Sequence, residues 1–172
     1  MEGFEKMVVY GVSFDVVNKQ PIVLLKVEGE NRYLPIWIGQ SEAGAILMKL
    51  QNTELPRPMT HDLMTNVLRD LSARLERVLV TELKENTFYA VLHVITNGRQ
   101  IEIDSRPSDA IALAVRSEAP IFAAQALLDA NGIEFDQEAE AEAEGASAEA
   151  EEDILEKFRE FLDGISPQDF SG

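Results

Sequence analysis

The sequence predicts an α+β fold, in which helices pack against a largely antiparallel sheet. Two observations carry this prediction. Strand-like segments come in threes, and each set of three is followed by segments whose apolar residues recur at helical spacing. The two halves of the chain also align with each other without a gap, which indicates a duplicated unit of three strands and two helices.

In the first half, strands are predicted over residues 7–17, 22–27 and 32–38, with turn-forming residues between them. After Gly39 the pattern becomes helical. Four apolar residues then share one face of the predicted helix: Ala43, Ile46, Leu47 and Leu50.

Residues 55–58 contain two prolines and predict a non-helical connection, because a proline also restricts the residue before it. Thr60 is then expected to cap a second helix. The buried stripe of that helix is predicted to consist of Leu63, Val67, Leu68 and Leu71.

The second half repeats this order, with strands predicted over residues 75–83, 87–96 and 99–103. The dipeptide Asn97-Gly98 is typical of a two-residue hairpin turn, because both turn positions need a positive φ. A helix is predicted to begin near Pro107, and a last short helix to cover about residues 123–130.

An offset of 67 residues, from Ser41 to Ser108, superposes the two halves. At this offset Asp109 falls on Glu42, and Arg116 falls on Lys49. The match favours an internal duplication, although any two units of a meander followed by helices share some of this pattern.

Three segments are predicted: a body over residues 1–135, a Glu/Ala-rich linker over 136–153 and an amphipathic helix with its tail over 154–172. Such a tethered helix either docks on its own body or a sister subunit, or binds a protein partner. Its apolar residues recur at helical spacing: Ile154, Leu155, Phe158, Phe161, Leu162 and Ile165.

The net charge of −16 is concentrated near the C-terminus. Residues 134–172 contain 14 acidic and two basic residues, which leaves the body with a net charge of only −4. A basic patch on the body is therefore compatible with the acidic total.

Composition also excludes several classes of protein. The absence of cysteine excludes a disulfide scaffold, a thiolate nucleophile and a metal site built on cysteine. No apolar run approaches the roughly 18 residues of a membrane span, so we expect a cytoplasmic protein that does not engage membranes. Exposed sheet edges need covering, and a homo-oligomer is expected for that reason.

Five ordered blocks resemble the bifunctional nuclease domain family, whose name implies activity on both RNA and DNA. The resemblance runs from about residue 7 to residue 135, and it implies a nuclease. The sequence has no basic run interleaved with aromatic residues, so little sequence preference is expected. The blocks are Leu34–Gly39, Glu42-Ala43, Pro56–Leu63, Thr87–Ala90 and Ile103–Ala114.

Phosphodiester cleavage without cysteine has two common solutions. Carboxylates can hold Mg²⁺ or Mn²⁺, which activates water, or a histidine can act as general base while an arginine neutralises the phosphate. Arg57, His61 and Asp62 form one candidate cluster, at the start of the second predicted helix. The alternative is that Asp62 only complements the helix dipole and His61 only bonds the loop.

A second candidate cluster is Asp104, Arg106 and Asp109, where a strand ends and a helix begins. Helix capping by Ser105 or Ser108 explains much of this segment, but it leaves Asp104 and Arg106 unexplained. Glu42 is equivalent to Asp109 at the 67-residue offset. If the two helix starts converge, Asp104, Asp109 and Glu42 are the predicted metal ligands.

Two further residues are given structural roles. His93 is expected on the surface of a strand, and Trp37 is expected to be a packed or interface aromatic. The competing hypothesis for the whole chain is a non-catalytic, oligomerising binding module that engages a protein partner through residues 154–165.

Overall fold

Eight strands and four helices lie within residues 2–134, the part of the chain that the computed structural model describes. The predicted linker and C-terminal helix lie outside the described residues. The first half forms the elements β1 (Phe4–Asp15), β2 (Gln20–Val27), β3 (Arg32–Trp37), α1 (Gln40–Leu50) and α2 (Thr60–Asp70). The second half forms β4 (Ala73–Lys84), β5 (Thr87–Thr96), β6 (Arg99–Ser105), α3 (Pro107–Ser117), β7 (Ile121–Ala124), α4 (Gln125–Asn131) and β8 (Ile133–Glu134).

The strands form one sheet in the order β6-β5-β4-β7-β1-β2-β3-β8. Two antiparallel meanders, β1–β3 and β4–β6, are joined by β7, which is parallel to β4 and antiparallel to β1. The predicted α+β class is therefore confirmed. Within residues 2–134, no helix has the length and apolar character needed to cross a membrane.

Residues 121–124 form a strand, so the prediction of a helix from residue 123 begins too early. Ile121 and Ala123 alternate inward and are 5% and 0% exposed. Four residues are too short for this alternation to be distinguished from the start of a helix.

The core lies between one face of the sheet and the helices. Val23 and Leu25 of β2 alternate toward it, as do Val78 and Val80 of β4. The helix that contributes most is α3, whose residues 110–114 are all buried. Burial of these five side chains fixes the start of α3 relative to the sheet.

The 67-residue offset holds for α1 and α3, but not for α2 and α4 or for the hairpins. Both ends of α1 and α3 are 67 residues apart. In the first hairpin Leu25 pairs with Leu34, yet the equivalent Leu92 pairs with Ile103 rather than with Ile101. The second hairpin slips by two residues because its turn is shorter, and an even slip keeps every side chain on its expected face.

The predicted buried stripe of α2 is largely wrong. Leu63, Val67 and Leu71 are 54%, 47% and 68% exposed. The buried side of α2 is instead formed by His61, while Leu68 packs partly against the core. The polar contacts of the first turn, described below, orient the helix in this way.

Candidate active site

The first turns of α1 and α3 bring two carboxylates to one guanidinium. Arg106 immediately precedes α3, and its Nε donates to Oδ2 of Asp109 at 2.7 Å. Its Nη2 donates to Oε1 of Glu42 at 2.6 Å. The helix starts therefore converge, which was the condition for a shared metal site, but the group between the two acids is an arginine.

His61 joins this group from the first turn of α2. Its Nε2 lies 2.9 Å from Oδ1 of Asp109, and 9% of its side chain is exposed. An ionised carboxylate can only accept a hydrogen bond, so Nε2 carries the proton and donates it to Asp109. In the neutral ring the lone pair is then on Nδ1, which makes no hydrogen bond within residues 2–134.

Asp62 takes part in a different interaction. Its Oδ1 accepts from Nε of Arg116 at 2.6 Å, and its Oδ2 accepts from the backbone N–H of Met59 at 2.9 Å. Arg116 also donates to the carbonyl oxygens of Ala112 and Ala45 at 2.9 Å each. One buried guanidinium thus fastens α1, α2 and α3 together.

These contacts stabilise the ionised forms of both aspartates. Burial raises the pKa of Asp109, but hydrogen bonds from Arg106 and His61 outweigh burial and lower the pKa below its usual value. Burial also raises the pKa of Asp62, but the hydrogen bonds from Arg116 and Met59 outweigh burial and lower the pKa below its usual value. Hydrogen bonds to Asp109 and Glu42 raise the pKa of Arg106.

The predicted caps of α3 and α2 are wrong. The hydroxyl of Ser105 donates to the carbonyl of Arg106, and no side chain caps α3. Thr60 is the first residue of α2 rather than the residue before it. The side chain of Asp62 performs the capping instead, through Met59, because it lies three residues inside the helix.

Arg57 lies in a surface depression of about 420 Å³ beside α2, together with Lys49, Asp62 and Arg116. Within residues 2–134, neither Arg57 nor Lys49 makes a hydrogen bond or an ion pair. Three cationic and two acidic side chains line the depression, so its net charge is positive. It can hold an anion, and phosphate is a suitable one.

Arg106 lines a separate cleft of about 220 Å³, with Phe88, Thr87 and Ser108 on its walls. Its side chain is 66% exposed, so the guanidinium remains accessible to solvent while it bonds the two acids. Of the predicted site residues, Arg57 and Asp62 therefore line one depression and Arg106 lines the other. His61 is not among the residues that line either depression; it contacts Asp109 and is the neighbour of Asp62 in the chain.

Asp104 lies apart from the other candidates. It pairs with Val91, and paired residues of adjacent strands point to the same face of a sheet. Val91 lies between Ala90 and Leu92 in β5, and these two residues are buried beneath the helices. Successive side chains of a strand point to opposite faces, so Val91 points away from the helices. Asp104 is consequently on the face opposite His61 and Asp109, where it is exposed and makes no hydrogen bond within the described residues.

The three predicted metal ligands are not brought together. Mg²⁺ and Mn²⁺ need several oxygen ligands around one centre. Arg106 occupies the position between Glu42 and Asp109 that a cation would take, and Asp104 faces the other side of the sheet. Within residues 2–134 no three His, Asp or Glu side chains are placed to hold a metal. This arrangement does not fit the predicted resident ion.

His93 is buried, which contradicts the expected surface position. It lies on the face of the sheet that the helices leave open, but neighbouring side chains cover it and leave it 6% exposed. Gln100 and Arg77 both donate to its Nδ1, at 2.5 and 3.2 Å. Trp37 is half-buried and donates to Oδ2 of Asp15 at 3.0 Å, which agrees with a packing role.

Sequence reasoning did not single out Lys49 and Arg116 as site residues. A signal for both was present, since the 67-residue offset superposes them and they occupy the last turns of α1 and α3. Helices that pack as an equivalent pair bring equivalent positions close together. The depression beside α2 contains both residues.

Comparisons with known proteins identify the family. The family model described as "Bifunctional nuclease domain" matches residues 23–136. An uncharacterized protein of Mycobacterium tuberculosis is 43% identical over 166 residues, covering 94% of this chain and 95% of its own length. Bifunctional nuclease 1 of Oryza sativa is 27% identical over 123 residues, covering 70% of this chain but 37% of the plant protein. Bifunctional nuclease 1 of Arabidopsis thaliana is 29% identical over 105 residues, covering 59% of this chain and 32% of its own length. The chain belongs to the bifunctional nuclease domain family.

Proposed function

We propose that this protein is a nuclease that cleaves the phosphodiester bonds of RNA and DNA with little sequence preference, and that His61 is its general base. The observation that carries the proposal is the 2.9 Å contact between Nε2 of His61 and Asp109. A carboxylate that orients a histidine in this way fixes its tautomer and stabilises the imidazolium that forms during proton transfer.

The proposed step is attack by water. Nδ1 of neutral His61 accepts a proton from a water molecule as the water oxygen bonds to phosphorus. The bond between phosphorus and the leaving oxygen breaks, and solvent supplies the proton to that oxygen. Because water rather than a ribose hydroxyl is the nucleophile, the same step serves RNA and DNA.

Arginine is proposed to bind the reacting phosphate. Arg106 uses Nε and Nη2 for Asp109 and Glu42, and within residues 2–134 its Nη1 makes no hydrogen bond. This nitrogen can donate to a non-bridging oxygen, whose negative charge grows in the transition state. The two carboxylates hold the guanidinium in place before substrate arrives.

Lys49 and Arg57 are proposed to bind a neighbouring phosphate of the same strand. Both are cationic side chains without a partner in the described residues, and they line a depression next to the first turn of α2. Contacts to phosphate carry no sequence information, which agrees with broad specificity. Binding of this kind weakens steeply with added salt.

The proposal is tested by incubating labelled single-stranded RNA and DNA with the full chain at low salt. Reactions contain Mg²⁺, Mn²⁺ or EDTA, and identically purified His61→Ala runs alongside. We expect both substrates to be cleaved by the wild type and not by the variant. Equal cleavage by the two preparations would refute the role of His61 and point to a contaminant.

A second candidate function is a binding module without catalytic activity. The ion pairs that Glu42, Asp62 and Asp109 form with arginines favour this function, because they also hold three helices together. Such contacts have a structural role without any catalysis. The edge strand β6 favours oligomerisation of such a module. The absence of cleavage under every condition above would support this function.

A further inference from the structure

One face of α2 is apolar and exposed to solvent. Leu63, Val67 and Leu71 follow one another at four-residue spacing, and Met64 lies beside them with 41% of its surface exposed. We call these four residues the α2 stripe. Contiguous apolar side chains that share one exposed helix face usually mark an interaction surface.

The stripe is exposed because polar contacts fix the opposite side of α2. His61 bonds Asp109, and Asp62 bonds the buried guanidinium of Arg116. Rotating the helix to bury the stripe would break both contacts. The orientation of α2 is therefore fixed within residues 2–134, so a partner for the stripe comes from outside them.

We propose that residues 154–165 of the same chain dock on the α2 stripe. The sequence of this segment predicts a helix with an apolar face that includes Phe158, Phe161 and Leu162. Two apolar helix faces that pack together remove both from water, which is favourable in proportion to the apolar area buried. The apolar face of residues 154–165 can therefore pack against the exposed α2 stripe.

The connecting chain is long enough for docking within one molecule. The described structure ends at Glu134 in β8, at the opposite edge of the sheet from β6. Eight strands span about 34 Å between their outer axes at roughly 4.8 Å per spacing. Residues 135–153 can extend to about 60 Å at roughly 3.3 Å per residue. The linker therefore reaches any position on the helical face.

Charge favours the same arrangement. The acidic linker carries no basic residue, whereas the depression beside the first turn of α2 contains the unpaired cations Lys49 and Arg57. The opposite charges of the linker and the depression attract the C-terminal part of the chain toward α2, and this attraction weakens at high salt.

The chain has no cysteine, so an introduced pair reports on docking without background. The full-length variant Val67→Cys/Phe161→Cys is oxidised at low protein concentration and the product is mapped by mass spectrometry. We expect a disulfide within one chain. The control is Arg69→Cys/Phe161→Cys, because Arg69 is exposed on α2 but lies on the side away from the stripe. The control bond should form at least about tenfold more slowly, since a disulfide needs Cα atoms within about 7 Å.

Equal rates for the two pairs, a disulfide between two chains, or no disulfide would overturn the proposal. A second measurement does not depend on bond geometry. The thiol of Val67→Cys is alkylated in the full chain with and without Phe158→Asp/Phe161→Asp. We expect alkylation to become about tenfold faster when the apolar face of the segment is removed. Unchanged alkylation would also overturn the proposal.

Discussion

The carboxylate of Asp109 lies 2.9 Å from Nε2 of His61, although the two residues are 48 positions apart in the chain. The other oxygen of the same carboxylate accepts from Arg106 at 2.7 Å. A single side chain in the first turn of α3 therefore positions both the proposed base and the proposed phosphate ligand. Changes at Asp109 should consequently affect proton transfer and charge stabilisation together.

Asp109→Asn is expected to lower the rate of cleavage by about 10²–10⁴-fold, because the amide cannot stabilise an imidazolium or hold the correct tautomer. Single-turnover cleavage of labelled single-stranded RNA measures the loss. Asp70→Asn is the matched control, since it removes a carboxylate from the exposed end of α2. A rate within about threefold of the wild type would contradict the role of Asp109.

Arg116→Met is expected to destabilise the fold. The guanidinium is 6% exposed and satisfies Asp62 as well as the carbonyls of Ala45 and Ala112. Breaking a buried pair costs about 3–5 kcal/mol, and the lower end applies here because Asp62 keeps 34% of its side chain in water. Urea unfolding measures the loss. Arg69→Met, at an exposed pair, should change the free energy of unfolding by less than about 0.5 kcal/mol, and equal effects would contradict this account.

The two lowered aspartate pKa values predict a loss of stability in acid. A carboxyl whose pKa is lower in the folded state stabilises that state above its ordinary pKa of 3.8, and stops doing so as pH falls through its folded pKa. The difference in unfolding free energy between wild type and Asp62→Asn should be constant from about pH 5 to 8 and shrink below about pH 4. Urea unfolding across this range measures it. A difference that persists down to about pH 2 would contradict the lowered pKa of Asp62.

Lys49→Ala and Arg57→Ala are expected to weaken binding of single-stranded DNA. Each removed phosphate contact should reduce the slope of log K against log salt by about 0.7. Fluorescence anisotropy of a labelled oligonucleotide over a salt series measures the slope. Arg99→Ala is the control, because Arg99 is an exposed cation on β6, away from the depression. An unchanged slope for the Lys49 and Arg57 variants would remove these residues from the binding surface.

The sequence pattern predicted the two meanders and the helices that follow them, because alternation and helical spacing are local properties of the chain. The 67-residue offset relates Glu42 to Asp109, but it does not specify whether the starts of α1 and α3 converge, because that depends on how the two helices pack. The identity of the group between them depends on where Arg106 points, and local pattern does not specify that. The apolar face of α2 was visible in the sequence, but polar contacts to Asp109 and Arg116 decide which way it faces. The face of the sheet on which Asp104 lies depends on the alternation of side chains along β6. An uncertainty of one residue in the register of β6 would place Asp104 on the other face.

The comparison of His61→Asn with Asp104→Asn distinguishes an active site built on His61 and Asp109 from one that includes Asp104. Both were candidates from the sequence, and the structure places them on opposite faces of the sheet. Single-turnover cleavage of labelled RNA and DNA should fall by at least about 100-fold in His61→Asn and remain at the wild-type rate in Asp104→Asn. Full activity in His61→Asn, or loss of activity in Asp104→Asn alone, would contradict an active site built on His61 and Asp109.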